Sequence, residues 1–366
     1  CDFNKCNFDG KQEMLTLPSV IDRTVRLYGH RTAIRDNERY FTWFEFADRV
    51  ARAAGVLVGL GVKPGDRFGI ISRNSFRHSE LNYAGYWMGA VPVPVNNRLA
   101  PPEIRFILDD AECGILAVED IFADLMQTDE LAPWSGRMFW IAPGTTNVDG
   151  PNYEALLVDA DAAPLRDCGE DDDAILLYTG GTTGRGKGVR LTHRNIVSNA
   201  LQLSKAMNVT GDDIYLHTSP MFHSTDLKST VCTMMGAGHS YLAEFSPRNV
   251  LQAIERHGIT IGSLVPTMII RTLQYEDFDN YDMSSLRLLS YGTSPIAVEW
   301  IRRIMERFEG VDLHQCYGLT ETSPILSILD DNDHRQAVET GDYTRLGSAG
   351  QPLPGVDLRI VDDNGD

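Results

Sequence analysis

Along the chain, short β-branched or aliphatic runs alternate with longer stretches whose apolar positions recur at three- and four-residue spacing, which predicts an α/β fold with largely parallel sheets. Thr42 and Glu45 form a capping-box pattern that opens a helix from Trp43 to about Leu60, and Gly61 with the Pro-Gly-Asp turn at 64–66 closes it. A strand RFGIIS follows, then a helix over 76–89, the extended run VPVPV, a helix started by Pro101 and Pro102, and the strand GILAVED. A polar stretch at 159–173 reads as a connection. Beyond it the same grammar resumes with AILLY at 174–178, a helix near 193–206, strand DIYLHTS, a helix through 226–235 and strand HSYLA. A helix started by Ser246 and Pro247, strand ITIGSL, a helix after Pro266, strand LRLLS, a helix over 295–308 and strand VDLHQC complete it. The expected organisation is a terminus over 1–17 that is disordered or a cloning remnant, with Met14 a candidate native start. One large domain then covers 18–366, with halves at about 18–158 and 174–328 and a β-rich end at 329–366.

Composition narrows the function. The 366 residues are 43% hydrophobic and 23% charged, the balance of a globular protein with a sizeable core. Thirty-three basic against 51 acidic residues give a net charge of −18, which repels nucleic-acid backbones and anionic membranes but still allows a small phosphorylated ligand held by local donors. The six cysteines show no CxxC pair and read as reduced cytoplasmic thiols. The longest apolar stretch, at 84–95, is too short to span a bilayer.

The densest chemistry lies at 178–188, YTGGTTGRGKG, immediately after the apolar run AILLY. Gly180, Gly181, Gly184, Gly186 and Gly188 let backbone N–H groups approach phosphate oxygens, while Thr179, Thr182 and Thr183 add hydroxyls and Lys187 adds charge. Gly181, Gly186 and Lys187 match the Walker spacing, but Gly188 stands where a Ser or Thr should ligate Mg²⁺ and the strand-like VRLT follows instead of a helix. The dinucleotide fingerprint also fails, because the glycines at 184, 186 and 188 give GxGxG.

The stretch resembles the phosphate loop of the adenylate-forming superfamily of acyl-CoA and aryl-CoA ligases, luciferases and adenylation domains, whose usual form is YTSGTTGxPKG. Gly180 replaces its serine and Gly186 its proline. QCYGLTETSP at 315–324 is similar to the family's second hallmark, and the resemblance makes Gln315, Tyr317, Gly318 and Thr320 nucleotide contacts and Glu321 the Mg²⁺ ligand. SYGTSP at 290–295 offers Gly292, Thr293 and Ser294 beside the nucleotide, and Ser294 with Pro295 also reads as a helix cap. PMFHST at 220–225 resembles one wall of the acyl pocket, with His223 near the reacting carboxylate where amino-acid-activating relatives place an aspartate. Met268 and Ile269 read as core, and Asp226 and Lys228 as solvent-facing or mutually paired. Thr340, Gly341 and Asp342 read as a loop, because they precede the GSAGQP segment that the family's ribose-binding TGD motif follows.

The resemblance implies a large N-terminal domain with two packed, mainly parallel sheets flanked by helices and a smaller β subdomain, ending before the family's C-terminal domain and its lysine. The implied activity is ATP- and Mg²⁺-dependent conversion of a carboxylic acid, such as a fatty or aryl acid, to acyl-adenylate, followed by transfer to coenzyme A. Lys187, Thr320, Glu321 and His223 are the expected catalytic residues. Amino-acid or carrier-loading adenylation, and a nucleotide-binding module inactive without the C-terminal domain, stay open, as does a homodimer. No nucleic-acid partner is expected.

Overall fold

The computed structural model describes residues 15–37, 39–141, 148–180, 186–294 and 296–362. Its first described elements, helix α1 (Leu17–Tyr28) and the hairpin of β1 (Thr32–Asp36) and β2 (Arg39–Thr42), are not among the expected ones. Helix α2 (Trp43–Gly59) starts at the anticipated capping box: the Glu45 amide donates to Thr42 Oγ1 at 3.2 Å and the Thr42 amide to Glu45 Oε2 at 2.7 Å. Strands β3 (Arg67–Ile71), β4 (Val91–Pro94), β5 (Ile115–Glu119) and β6 (Met138–Ile141) make a parallel sheet in the order β4-β3-β5-β6. Helices α3 (Phe76–Met88), α4 (Pro101–Asp110), α5 (Ala123–Met126) and α6 (Tyr153–Asp159) belong to the same unit.

The run AILLY becomes β7 (Asp173–Thr179), which pairs antiparallel with β8 (Lys187–Thr192), so the strand-like VRLT is a strand. β7 does not join a parallel sheet. Its alternate side chains point into two cores: Ile175 and Leu177 pack with the large-sheet cluster, and Leu176 with the cluster around β4 and β5. Burial on both faces is why this strand is apolar throughout.

Helix α7 (His193–Ala206), capped by Thr192, leads into the larger sheet. In chain order follow β9 (Ile214–His217), α8 (Thr230–Met235), β10 (Gly238–Tyr241), α9 (Pro247–His257), β11 (Ile261–Leu264) and α10 (Pro266–Leu273). Then come β12 (Leu288–Gly292), α11 (Val298–Arg307), β13 (Asp312–Tyr317), β14 (Ser327–Leu329), α12 (Asp331–Thr340) and β15 (Gln351–Pro352). The nine strands run β15-β14-β13-β12-β11-β9-β10-β1-β2, parallel from β13 to β1 with antiparallel strands at both edges. Among the described residues no helix is long and apolar enough to cross a membrane.

Three expectations need correction. The sheet crosses the boundary placed at 159–173, because β1 pairs with β10. The segment expected to be β-rich carries helix α12, and Thr340 and Gly341 are its last residue and its left-handed cap rather than a plain loop. Residues 224–235 split into a 3-10 turn, Ser224–Ser229, and the short helix α8, instead of one helix from 226.

The expected connection is strapped down. The Ala163 amide donates to Ala51 O at 2.9 Å, Arg52 to Ala160 O at 3.0 Å, and the Trp87 indole to Ala163 O at 2.9 Å. Gly55 in α2 is the surface against which this strap lies, since a Cβ there would stand 1.9 Å from Asp161 O. Helix propensity alone would have Gly55→Ala stabilise by about 1 kcal/mol; the backbone clash should reverse the sign and cost about 1–3 kcal/mol. Urea unfolding of the variant decides between them, and a gain in stability would show that the strap is not seated on α2.

A buried polar chain runs under the larger sheet. His217 Nδ1 lies 2.6 Å from Asp226 Oδ1, His217 Nε2 lies 2.9 Å from His239 Nδ1, and His239 Nε2 lies 3.1 Å from Thr233 Oγ1, to which Tyr83 donates at 2.7 Å. It ties the 224–229 turn to β9, β10, α8 and α3. Burial also holds the imidazoles of His78, His193 and His314 at about 4 instead of 6.5. Between those values the folded chain binds fewer protons than the unfolded one, so this stability is complete above pH 6.5 and lost as pH falls toward 4. His314→Gln should shrink the stability difference between pH 7 and pH 5 by about 2 kcal/mol, at about 1.4 kcal/mol per pH unit. Denaturant unfolding at both pH values measures it; an undiminished difference would refute the neutral His314.

Candidate functional site

A cavity of about 450 Å³ opens outside the carboxyl ends of β9, β11, β12 and β13, where open parallel sheets place their ligands. Ser219, Leu264, Gly292 and Gly318 bring these strand ends to its wall. Of the residues singled out in the sequence, His223, Gly292, Thr293, Gly318 and Thr320 line it together.

Two of those positions admit only glycine for reasons of packing. A Cβ on Gly292 would stand 2.2 Å from Cys316 O, and one on Gly318 would stand 1.9 Å from Pro324 O. The chain leaves β12 through Thr293 at φ 71°, a backbone region costly for a β-branched residue. This turn pushes the helix start to Val298, with Ala297 as its N-cap. The expected helix over 295–308 is therefore shorter, and Ser294 does not cap it but sits exposed in the turn.

The turn after β13 and the turn after β9 meet at one contact. Thr320, in the 3-10 turn Thr320–Thr322, lies with its Oγ1 2.9 Å from Ser224 Oγ, next to His223. His223 remains solvent-accessible at the cavity mouth, yet partial desolvation and then the Arg98 guanidinium lower its pKa, so the imidazole is neutral at pH 7.

Other expected residues do not line the cavity. Tyr317 at the end of β13 is 46% exposed, enough to offer its ring to a planar ligand, and Gln315 accepts from the Tyr291 hydroxyl at 3.4 Å. Lys187 is exposed at the start of β8, in register with Thr179, and Gly180 is exposed just beyond β7. Strand β8 packs beside the Thr320–Thr322 turn, which brings the loop's lysine strand to the Thr320 side of the cavity. Gly181, Thr182, Thr183 and Gly184 lie outside the described residues. Gly188 is explained by its partner, since a Cβ there would press within 3.1 Å of the Tyr178 ring.

Glu321 is exposed, and no cluster of three or more acidic, His or Cys ligands exists among the described residues. A lone carboxylate next to Thr320 fits Mg²⁺, which keeps most of its waters and takes one or two protein carboxylates together with substrate phosphates.

Sequence reasoning missed Arg98 and Ser219 in the cavity wall, whose residue types carry no signal outside the fold, whereas Ser224 belongs to the PMFHST segment already singled out. It also set Met268 in the core, whereas Met268 lines the cavity and Ile269 alone is fully buried. Asp226 and Lys228 neither face solvent nor bond to each other: Asp226 is bound to His217, and Lys228 Nζ donates to Ser290 Oγ at 3.0 Å. Their charge between Ser224, Thr225, Ser229 and Thr230 was the available signal.

The family description "AMP-binding enzyme" matches residues 21–366. A feruloyl-CoA synthase from Amycolatopsis sp is 32% identical over 347 residues, 94% of this chain and 66% of that protein. An indoleacetate–CoA ligase from Aromatoleum aromaticum is 31% identical over 96% of this chain and 67% of its own length. The chain thus spans about two thirds of the length of these curated relatives. Among solved structures, the inhibitor-bound N-terminal domain of FACL13 from Mycobacterium tuberculosis superposes with a TM-score of 0.84 at 26% identity, covering 96% of this chain and 85% of that one.

Proposed function

The chain belongs to the AMP-binding enzyme family, and from that premise we propose that it supplies the ATP- and acid-binding part of an enzyme that converts a carboxylic acid to its acyl-adenylate and then to a coenzyme A thioester. The observation that carries this reading is the Thr320–Ser224 hydrogen bond, which joins the phosphate-side turn to the acid-side turn at one cavity.

Lys187 and the glycine loop hold the phosphates that depart as pyrophosphate, and Tyr317 with Gly292 and Thr293 receives the adenine. Neutral His223 at the cavity mouth orients the acid's carboxylate without neutralising it. That carboxylate is ionised at neutral pH and attacks the α-phosphorus without a general base. Mg²⁺ bound at Glu321 would neutralise phosphate charge. The modest volume and mixed lining of the cavity favour a short or aromatic acid over a long alkyl chain. His223, in place of an acidic residue that could hold an ammonium, disfavours an amino acid. The free thiols Cys113, Cys232 and Cys316 suit a reducing, cytoplasmic setting.

ATP–pyrophosphate exchange across a panel of free carboxylic acids and amino acids tests the reading. Exchange with carboxylic acids is expected, and a response to amino acids alone would overturn it. Lys187→Ala and Glu321→Ala should each slow exchange by about 10²-fold, the scale set by losing one electrostatic partner of the transition state. An unchanged rate for either variant would remove that residue from the site.

A further inference from the structure

Two polar groups in the cavity wall have no work in the reaction just described. Lys228 is 2% exposed, lines the cavity, and has one hydrogen-bond partner among the described residues, Ser290 Oγ. The Ser290 hydroxyl itself donates to Gly262 O at 3.2 Å. An ammonium carries three protons, so two are left without an acceptor among the described residues. Asp226, close enough to act electrostatically, has its carboxylate committed to His217 at 2.6 Å. Ser219 lines the same cavity at 4% exposure, and its Oγ has no partner among the described residues.

The position of the ammonium is fixed by the sheet. Ser290 precedes Gly292 by two residues on β12, so the two share a face and stand roughly 7 Å apart along the strand. Lys228 is therefore held below the rim formed by Gly292, Thr293 and Thr320. An acid whose reacting carboxylate lies toward Thr320 and His223 turns its other end toward Lys228. A plain alkyl or aryl end would strip water from the buried ammonium and return nothing, which is costly; an anionic end would take up both spare protons. Burial lowers the Lys228 pKa, and a facing carboxylate would favour the charged form.

We propose that the substrate is a dicarboxylic acid, activated at one end and held at the other by Lys228 with the hydroxyl of Ser219. This rests on the acid-activation reading above and adds the class of acid.

Calorimetric titration of the chain with succinate, glutarate, adipate and phthalate, against butyrate, valerate, hexanoate and benzoate, reads the preference without requiring turnover. The best dicarboxylate should bind at least about tenfold more tightly than its monocarboxylate counterpart, as expected for a charged hydrogen-bonded contact. Lys228→Met should bring the two within about twofold. Ser219→Ala, which leaves the ammonium in place, should weaken the dicarboxylate by about threefold and the monocarboxylate little. Equal or tighter binding of the monocarboxylate by the unsubstituted chain, an undiminished preference in Lys228→Met, or no binding of any acid overturns the proposal. Exchange of pyrophosphate separates the two levels. Exchange supported by monocarboxylates alone would sink the dicarboxylate and keep acid activation, whereas selective dicarboxylate binding with no exchange from any acid would sink acid activation and keep Lys228 as an anion site.

Discussion

The buried chain from Asp226 through His217, His239 and Thr233 to Tyr83 is the interaction on which the site's geometry depends. The Ser224–Ser229 turn presents side chains to the cavity from both of its ends. Anchoring Asp226 fixes its middle. Ser224 can then reach Thr320 while Lys228 reaches Ser290. A buried polar chain of this kind rewards full satisfaction and penalises any missing member, so it specifies one arrangement more sharply than apolar packing of the same volume would.

How much of this was legible in the sequence depended on whether the signal was local. The capping box at Thr42 and Glu45, the proline starts at Pro101 and Pro247, and the strand before the glycine loop are set by neighbouring residues and appeared where expected. The hairpin at 32–42 was not legible, because its partner is β10, about two hundred residues away, and its own exposed side chains give little alternation. Ser294 was read as a cap because Ser-Pro is a sound local signal. The helix instead starts at Val298 with Ala297 as its N-cap, after the chain turns at Thr293 with φ 71°.

The site divided along the same line. Its glycines and the threonine-glutamate turn carry family spacing that a reader can see. Arg98 and Ser219 are common surface residue types that acquire meaning only when the fold brings them to one wall. Lys228 fell between these cases. Its charge was visible as out of place, but only the fold shows that it is buried against the cavity.

The pairing of Ile34 with His239 also sets an order of events. A ribosome delivers β1 long before β10, and until then Ala33 and Ile34, both fully buried in the finished protein, have no surface to cover them. The parallel sheet of β3 to β6 is assembled from nearby segments and can condense earlier, whereas the larger sheet closes only across a wide sequence separation, which makes it the slow and aggregation-exposed step. His239, which orders the residues under the cavity, is thus also where the early strand docks, so the cavity matures together with the last closure of the sheet.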